Sequence, residues 1–326
     1  MTIPEILAAF PKLSALVIGD ICLDRWCTYD PAAADASRET GIPRVGVIRT
    51  EITAGAGGTV ANNLAALELG SVAVLGAAGN DGHGYELVQT LEKQGISSDL
   101  LIRKAEIQTF TYTKLTNCIT GIEDLPRVDF ISTVPLHPAI EHRILDFLPQ
   151  SIANADVIFI ADQAETSAGG VVTPAVRERL AELARAHPEK IFWADSRARM
   201  ELFRDVIIKG NHEEAEAASV RALGKFDLQA LREYCHAKLL IVTDGSHGAR
   251  IIEPGAEHFC KTKPIPKPVS ICGAGDAFSA GAATALAVTG SPIEAVQFGN
   301  LVASITIMKP GTGTATPAEV LEASRA

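Results

Sequence analysis

The chain has few aromatic residues, 5% of 326, and only two tryptophans among them. Small residues are plentiful instead, so close-packed helices and tight turns are expected rather than a core of stacked rings. Its six cysteines (Cys22, Cys27, Cys118, Cys235, Cys260 and Cys272) are scattered and contain no C-x-x-C pair. This argues against a disulfide framework or a zinc site and fits reduced thiols in the cytoplasm. There is no excess of basic charge: the formal net charge is -10, which disfavours a nucleic-acid surface or an anionic membrane as partner, though an anionic ligand needs only local donors. No apolar run is long enough to span a bilayer, and no basic region followed by an apolar stretch opens the chain. Also missing are a G-x-x-x-x-G-K-[ST] loop, a G-x-G-x-x-G turn after the first strand, and an H-E-x-x-H helix. The eight histidines form no ligand pattern.

What is present is an alternation of apolar runs with helical stretches. Strands are expected at Leu13–Gly19, Val72–Ala77, Val157–Ala161, Ile191–Ala194, Val206–Ile208 and Leu239–Thr243. Helices are expected at Val60–Leu69, Tyr85–Gln94, Pro174–Ala186, Arg199–Phe203, Glu213–Ser219 and Leu228–His236, with Ala277–Val288 and Ile293–Met308 closing the chain. Strands that are apolar without alternation, interleaved with helices, predict an α/β fold: a mostly parallel sheet covered on both faces. Pro43–Thr53 and Gln108–Asn117 depart from this rhythm. They are β-rich and alternate polar with apolar, which predicts a small half-exposed β flap. Such a flap could close over a ligand, serve as a plain edge sheet, or pair with the flap of a second subunit in a homodimer. One domain over residues 1–326 is therefore expected, with lid insertions at about 36–54 and 107–132.

Polar residues fall where the parallel strands should end: Asp20, Asp162, Asp195, Asn211 and Asp244. Ligands of open α/β sheets bind at that edge. Asp20 and Asp24, four apart, could grip the hydroxyls of a polyol or lie in a solvated loop with Asp24 paired to Arg25 or Arg38. Asn211-His-Glu-Glu214 has the form of a capping box; Glu214 could also reach a Mg²⁺–phosphate group through water. Thr243-Asp-Gly245-Ser-His-Gly248 could be no more than a turn between strands.

The densest signal is Gly273-Ala274-Gly275-Asp276, directly before the apolar helix that starts at Ala277. The first N–H groups of a helix lack internal partners and carry the positive end of its dipole, and small residues let an anion approach them. A carboxylate in that place suggests a base beside a phosphate, although Asp is also a common N-cap.

In this order, these motifs resemble the ribokinase-like (PfkB) family of carbohydrate kinases over nearly the whole chain. The carriers are Gly19-Asp20 with Asp24, Gly55–Gly58 before Asn62-Asn63, Asn211-x-x-Glu214, Thr243-Asp-Gly245-x-x-Gly248, Gly273–Asp276 and Lys309-Pro-Gly-Thr-Gly-Thr314. The resemblance implies a three-layer α/β/α kinase that uses ATP and Mg²⁺ on a small sugar substrate. Asp276 would be the general base, and the N–H groups of Ala274, Gly275 and Asp276, behind Gly273, would hold the phosphoryl group. Asp20, Asp24, Gly57, Gly58 and Asn62 would hold the sugar, while Lys114 and Arg127 would meet a phosphate on it. Asn211, Thr243, Gly245, Gly248 and Asn300 would border ATP. Ser37-Arg-Glu39, Thr113-Lys-Leu115, Arg127-Val-Asp-Phe130 and Gly299–Thr316 look most like the kinase domain that phosphorylates heptose 7-phosphate. Three departures from the family pattern stand out. Thr59 replaces an Asn, and Ser270 and Cys272 replace the polar pair before the Gly-Ala-Gly-Asp turn, so a K⁺ site lacks its carboxylate. Asp162-Gln-Ala-Glu165 stands where the heptose kinases carry a Tyr-x-Lys-Gly-like stretch. These departures keep two alternatives open: a catalytically silent sugar-binding protein on this fold, or a kinase for a nucleoside-like acceptor.

Overall fold

A computed structural model describes residues 1–166 and 168–325. Nine strands form the main sheet: β1 (Ser14–Gly19), β4 (Ser71–Gly79), β5 (Ser97–Lys104), β8 (Val157–Asp162), β9 (Ile191–Ser196), β10 (Ile207–Asn211), β11 (Leu240–Thr243), β12 (Gly248–Glu253) and β13 (Ala256–Lys261). Their order is β13-β12-β11-β10-β9-β8-β1-β4-β5. All neighbouring pairs are parallel except the two that involve β12.

Alternate residues of β1 explain its unbroken apolar run. Ala15 and Val17 join a core beneath α1 (Ile3–Ala9), α2 (Gly57–Ala66), α3 (Gly82–Lys93), α8 (Ala274–Thr289), α9 (Pro292–Thr306) and α10 (Pro317–Ala323). Leu16 and Ile18 join a second core beneath α4 (Pro138–Ala153), α5 (Pro174–Ala186), α6 (His212–Leu223) and α7 (Leu228–Tyr234). A strand buried on both faces has no polar side to alternate with. The parallel sheet covered by helices agrees with the expected fold class.

A smaller sheet has the order β3-β2-β6-β7, from β2 (Ile21–Asp30), β3 (Gly46–Ala56), β6 (Thr111–Asn117) and β7 (Val128–Phe130). The two alternating segments seen in the sequence are β3 and β6. The sequence reading missed the strand between them. No element was assigned to Ile21–Asp30, and a solvated loop was one alternative around Asp24, yet β2 pairs with β3 antiparallel and with β6 parallel. Its buried half, Ile21-Cys-Leu-Asp24, carries no alternation to announce it. The segment Arg199–Phe203 contains only a single 3-10 turn, Met200–Leu202. Helices α1, α4 and α10 and strands β5, β7 and β13 were also not anticipated.

Candidate active site

The helix α8 starts at Ala274, three residues before the expected Ala277, so Asp276 lies in its first turn and is not its cap. Gly273 is the N-cap, with φ +76°, and no side chain caps the helix. The carboxylate of Asp276 is therefore free of capping duty, which removes the bland reading of this residue. Among the described residues, the N–H groups of Gly275 and Asp276 find no protein acceptor. That of Ala274 instead donates to the Ile271 carbonyl at 3.2 Å. Of the three donors expected for an anion, two are thus free, because the tight turn before the helix consumes the first. Thr59 lies on α2 with its methyl carbon facing this turn, 3.1 Å from where a side chain on Gly273 would begin. Its role here is packing.

Burial pushes the carboxyl of Asp276 up to about 7; Asp195 and Asp24 add to the rise, and Lys209 and Arg197 oppose it. A base poised near neutrality suits proton abstraction. Asp24 stands on β2 and is also buried; burial takes it to about 6 against the Cys22 thiol, Lys114 and Arg127. Gly55 on the paired strand β3 makes this possible, since a Cβ there would lie 2.2 Å from the Asp24 carboxylate. The expected surface pairing of Asp24 with Arg25 or Arg38 is not found: Arg25 faces Glu86 and His83. Lys114, on β6, lies 4.4 Å over the Trp26 ring, with its Nζ 3.7 Å from Cys272 Sγ. Arg127 pairs with Asp129 at 2.6 Å and stacks 4.6 Å over Tyr112.

Asp20, expected to grip the sugar, is engaged by the backbone. Its carboxylate accepts from the backbone N–H groups of Gln163, Ala164 and Val171, at 2.8, 2.9 and 2.8 Å. Both oxygens hold backbone N–H groups after β8, and Asp20 also lines the cavity described below; Asp24 is near enough to Asp276 to raise its pKa. Asp162 likewise serves the fold. It is fully buried and paired with Arg199, and it accepts from Ser196 Oγ at 2.6 Å. Gly57 donates its N–H to the Asp20 carbonyl at 2.9 Å, and Gly58 follows it in the first turn of α2. Asn62 donates to Thr53 and Ala54, leaving its buried carbonyl oxygen without a partner.

Toward β10 and β11, Asn211 caps α6 in a complete capping box, with Asn211 Oδ1 and Glu214 Oε2 each accepting a backbone N–H at 2.8 Å. Burial and Asp195 raise the pKa of Glu214. Thr243 donates to the Gly210 carbonyl, and Gly245 and Gly248 shape the turn between β11 and β12 with φ of +50° and +122°. Asn300 on α9 holds a buried amide nitrogen without a partner. No group of three or more acidic, His or Cys side chains among the described residues could hold a metal by itself. Ser270 Oγ accepts from the Cys272 N–H at 3.3 Å, so neither replacement supplies an acidic cation ligand.

Sequence reasoning missed Lys209 and Arg197. Lys209 is buried in β10 and pairs with Asp195 at 2.7 Å. A charged residue inside the apolar run Val206-Ile-Ile-Lys-Gly was the available signal, since Lys is rarely buried unpaired. Arg197 pairs with Glu165, whose carboxylate also accepts from Tyr112 OH at 3.3 Å. A cavity of about 530 Å³ adjoins this cluster, lined by Glu165, Ile107, Phe110, Val134 and Leu136 among others.

Comparison with known proteins gives a family match. The pfkB family carbohydrate kinase pattern covers residues 14–319. Two curated relatives, each called bifunctional protein HldE, come from Pelobacter propionicus and Trichlorobacter lovleyi. They are 29% and 30% identical over 99% and 95% of the chain. The chain spans 65% and 62% of their lengths. The ribokinase of Thermotoga maritima superposes with a TM-score of 0.72 at 21% identity, covering 96% of this chain and 100% of that one. The phosphofructokinase-2 of Escherichia coli, solved with potassium, gives 0.70 at 19% identity, with 96% and 98% covered. At these identities the solved structures speak for the fold.

Proposed function

We propose that this chain, which belongs to the pfkB family of carbohydrate kinases, transfers the terminal phosphoryl group of ATP to a hydroxyl of a sugar phosphate. The observation that carries the mechanism is the free N–H pair of Gly275 and Asp276 beside a carboxyl raised to about 7. The hydroxyl proton passes to Asp276, the new P–O bond forms at the sugar oxygen, and the bond to the β-phosphate oxygen breaks to release ADP. The two N–H groups and the dipole of α8 stabilise the charge on the transferred phosphoryl oxygens, which is the main demand of this reaction. Asp24, the Gly57–Gly58 turn and the unpartnered carbonyl of Asn62 orient the acceptor. Thr243, Gly245, Gly248, Asn211 and Asn300 border the nucleotide. The residues fit Mg²⁺ as a hydrated ion on the ATP phosphates, held through water by Glu214, where it neutralises phosphate charge. Ser270 and Cys272 offer K⁺ no carboxylate, and no step requires that ion.

A phosphate on the acceptor is favoured by Lys114, whose ammonium is steered by Trp26 toward the Asp24 side of the site. The relatives called HldE point to a heptose-phosphate-like acceptor. The small sheet then acts as a lid, and its exposed edge β3, with Val47 and Ile48 open to solvent, pairs with a second copy. No helix among the described residues is long and apolar enough to cross a membrane. The need for ATP supports a cytoplasmic location. The test is ATP consumption across sugars, sugar phosphates and nucleosides. Lys114→Met should raise KM for a phosphorylated acceptor about tenfold or more, the worth of one charge-assisted contact, with kcat little changed. An equal loss on unphosphorylated acceptors would remove the phosphate assignment. One observation favours a second class: the apolar cavity beside Glu165 has room for the base of a nucleoside. Turnover of nucleosides with no turnover of sugar phosphates would select it.

A further inference from the structure

Beneath the phosphoryl turn lies a buried cation that the proposed mechanism does not yet use. Lys209 Nζ lies beside Gly275, 3.0 Å from where a Cβ would stand, and beyond the glycine's chain neighbours no other side chain among the described residues comes within 4 Å of that point. The amine is nearly inaccessible to solvent and pairs with Asp195 at 2.7 Å. Both partners sit on neighbouring parallel strands, and Lys209 and Asp195 are in register, so neither can drift from the other. A simple structural pair could be placed anywhere along these strands. This one is placed at their carboxyl ends, against the turn whose N–H groups are free.

We infer that Lys209 is the counter-charge of the phosphoryl-transfer site: its ammonium shares itself between Asp195 and the anion seated on the Gly275 turn. The inference rests on the kinase reading for the identity of that anion. Three carboxylates, Asp195, Asp276 and Glu214, act on Lys209 and hold it charged although burial works against the charge. An excess of negative charge would repel ATP, and one buried cation among three acids reduces it. Gly275 is then needed for more than helix geometry, because any larger residue would press on the ammonium.

The test separates a site cation from a structural ion pair. The groups acting on Asp276 are Asp195 on β9, Arg197 just after it, Lys209 on β10 and Asp24 on β2; the Cys22 and Cys272 thiols also face it. Titration of Asp276 is followed by carbon NMR of labelled aspartate, assigned with Asp276→Asn, and binding of Mg·ATP by calorimetry. In Lys209→Met the Asp276 midpoint should rise by about one pH unit, the usual effect of losing a close opposite charge, and Mg·ATP binding should weaken about tenfold or more. In Asp195→Asn the midpoint should fall and binding should hold or tighten. Should Lys209→Met not fold, the double variant Lys209→Met/Asp195→Asn removes both charges. It should return the midpoint toward wild type yet bind Mg·ATP as weakly as the single variant is expected to. A double variant that binds Mg·ATP like wild type makes the pair structural and overturns the inference, as does an Asp276 midpoint in Lys209→Met unmoved from wild type. Wild-type protein that binds no Mg·ATP overturns the kinase reading instead, and the Asp276 midpoint then decides the role of Lys209 alone.

Discussion

Replacing Asp276 by Asn should make the protein more stable while abolishing its activity. Burial and the neighbouring Asp195 raise the native Asp276 from 3.8 to about 7. Between these values the folded chain keeps a proton that the unfolded chain has released, so native stability falls as pH rises through this window. A shift of about three units at about 1.4 kcal/mol per unit sets a ceiling of about 4 kcal/mol on the penalty above pH 7. The side chain is partly exposed, and solvent screening reduces the ceiling to about 2 kcal/mol. Asn carries no charge to desolvate and nearly the same shape. Its advantage should therefore be about 2 kcal/mol at pH 8, about half of that near pH 5, and nil below about pH 4, where Asp is protonated in both states. For a chain of this size that is a melting temperature higher by about 3 °C at pH 8. Denaturant melts of the two proteins at pH 4, 5 and 8 measure the difference, and comparing variants cancels the contribution of Asp20. Activity should fall at least about a hundredfold, as on loss of a general base. A variant that is inactive yet no more stable at pH 8 than at pH 4 would show that Asp276 is not held under strain by its surroundings. A variant of full activity would refute its role as base.

Two further outcomes follow from the same geometry. The kcat/KM of the wild type should rise with pH through about 7 and level off above it, because Asp276 must be ionised to accept the proton; a profile flat from about pH 5 to 9 would be incompatible with this. Arg199→Met strands the fully buried Asp162 without its cation and should cost about 3–5 kcal/mol in urea melts. Asp162→Asn placed in the same chain should restore more than half of that, and failure to do so would mean the pair is not the source of the loss.

The parts of the site that could be read from sequence are those whose chemistry is local. The Gly273–Asp276 turn holds its free N–H groups, its left-handed cap and its carboxylate within four residues, and the apolar helix behind it fixes which way they point. The Asn211–Glu214 capping box is equally self-contained, and it closed as its spacing foretold. What the sequence hid is set by pairing between distant strands. Asp20 and Asp24 look alike on paper. One follows a strand of the main sheet, where the loop after β8 reaches it through the N–H groups of Gln163, Ala164 and Val171, and the other lies on β2, where Gly55 opposite makes room for it. Their different duties depend on β3 and on that loop. Lys209 is the sharpest case. In sequence it is a single charge that spoils an apolar strand; in register with Asp195 and below Gly275 it becomes the group against which Asp276, Asp195 and Glu214 are balanced. A charged residue in a strand buried on both faces has to be paid for by a partner, and here three carboxylates converge on it at the ligand-binding edge of the sheet. That convergence makes the acid cluster compatible with a bound polyphosphate: without the ammonium, a base raised to about 7 would be facing an anion with only two N–H groups and a helix dipole between them.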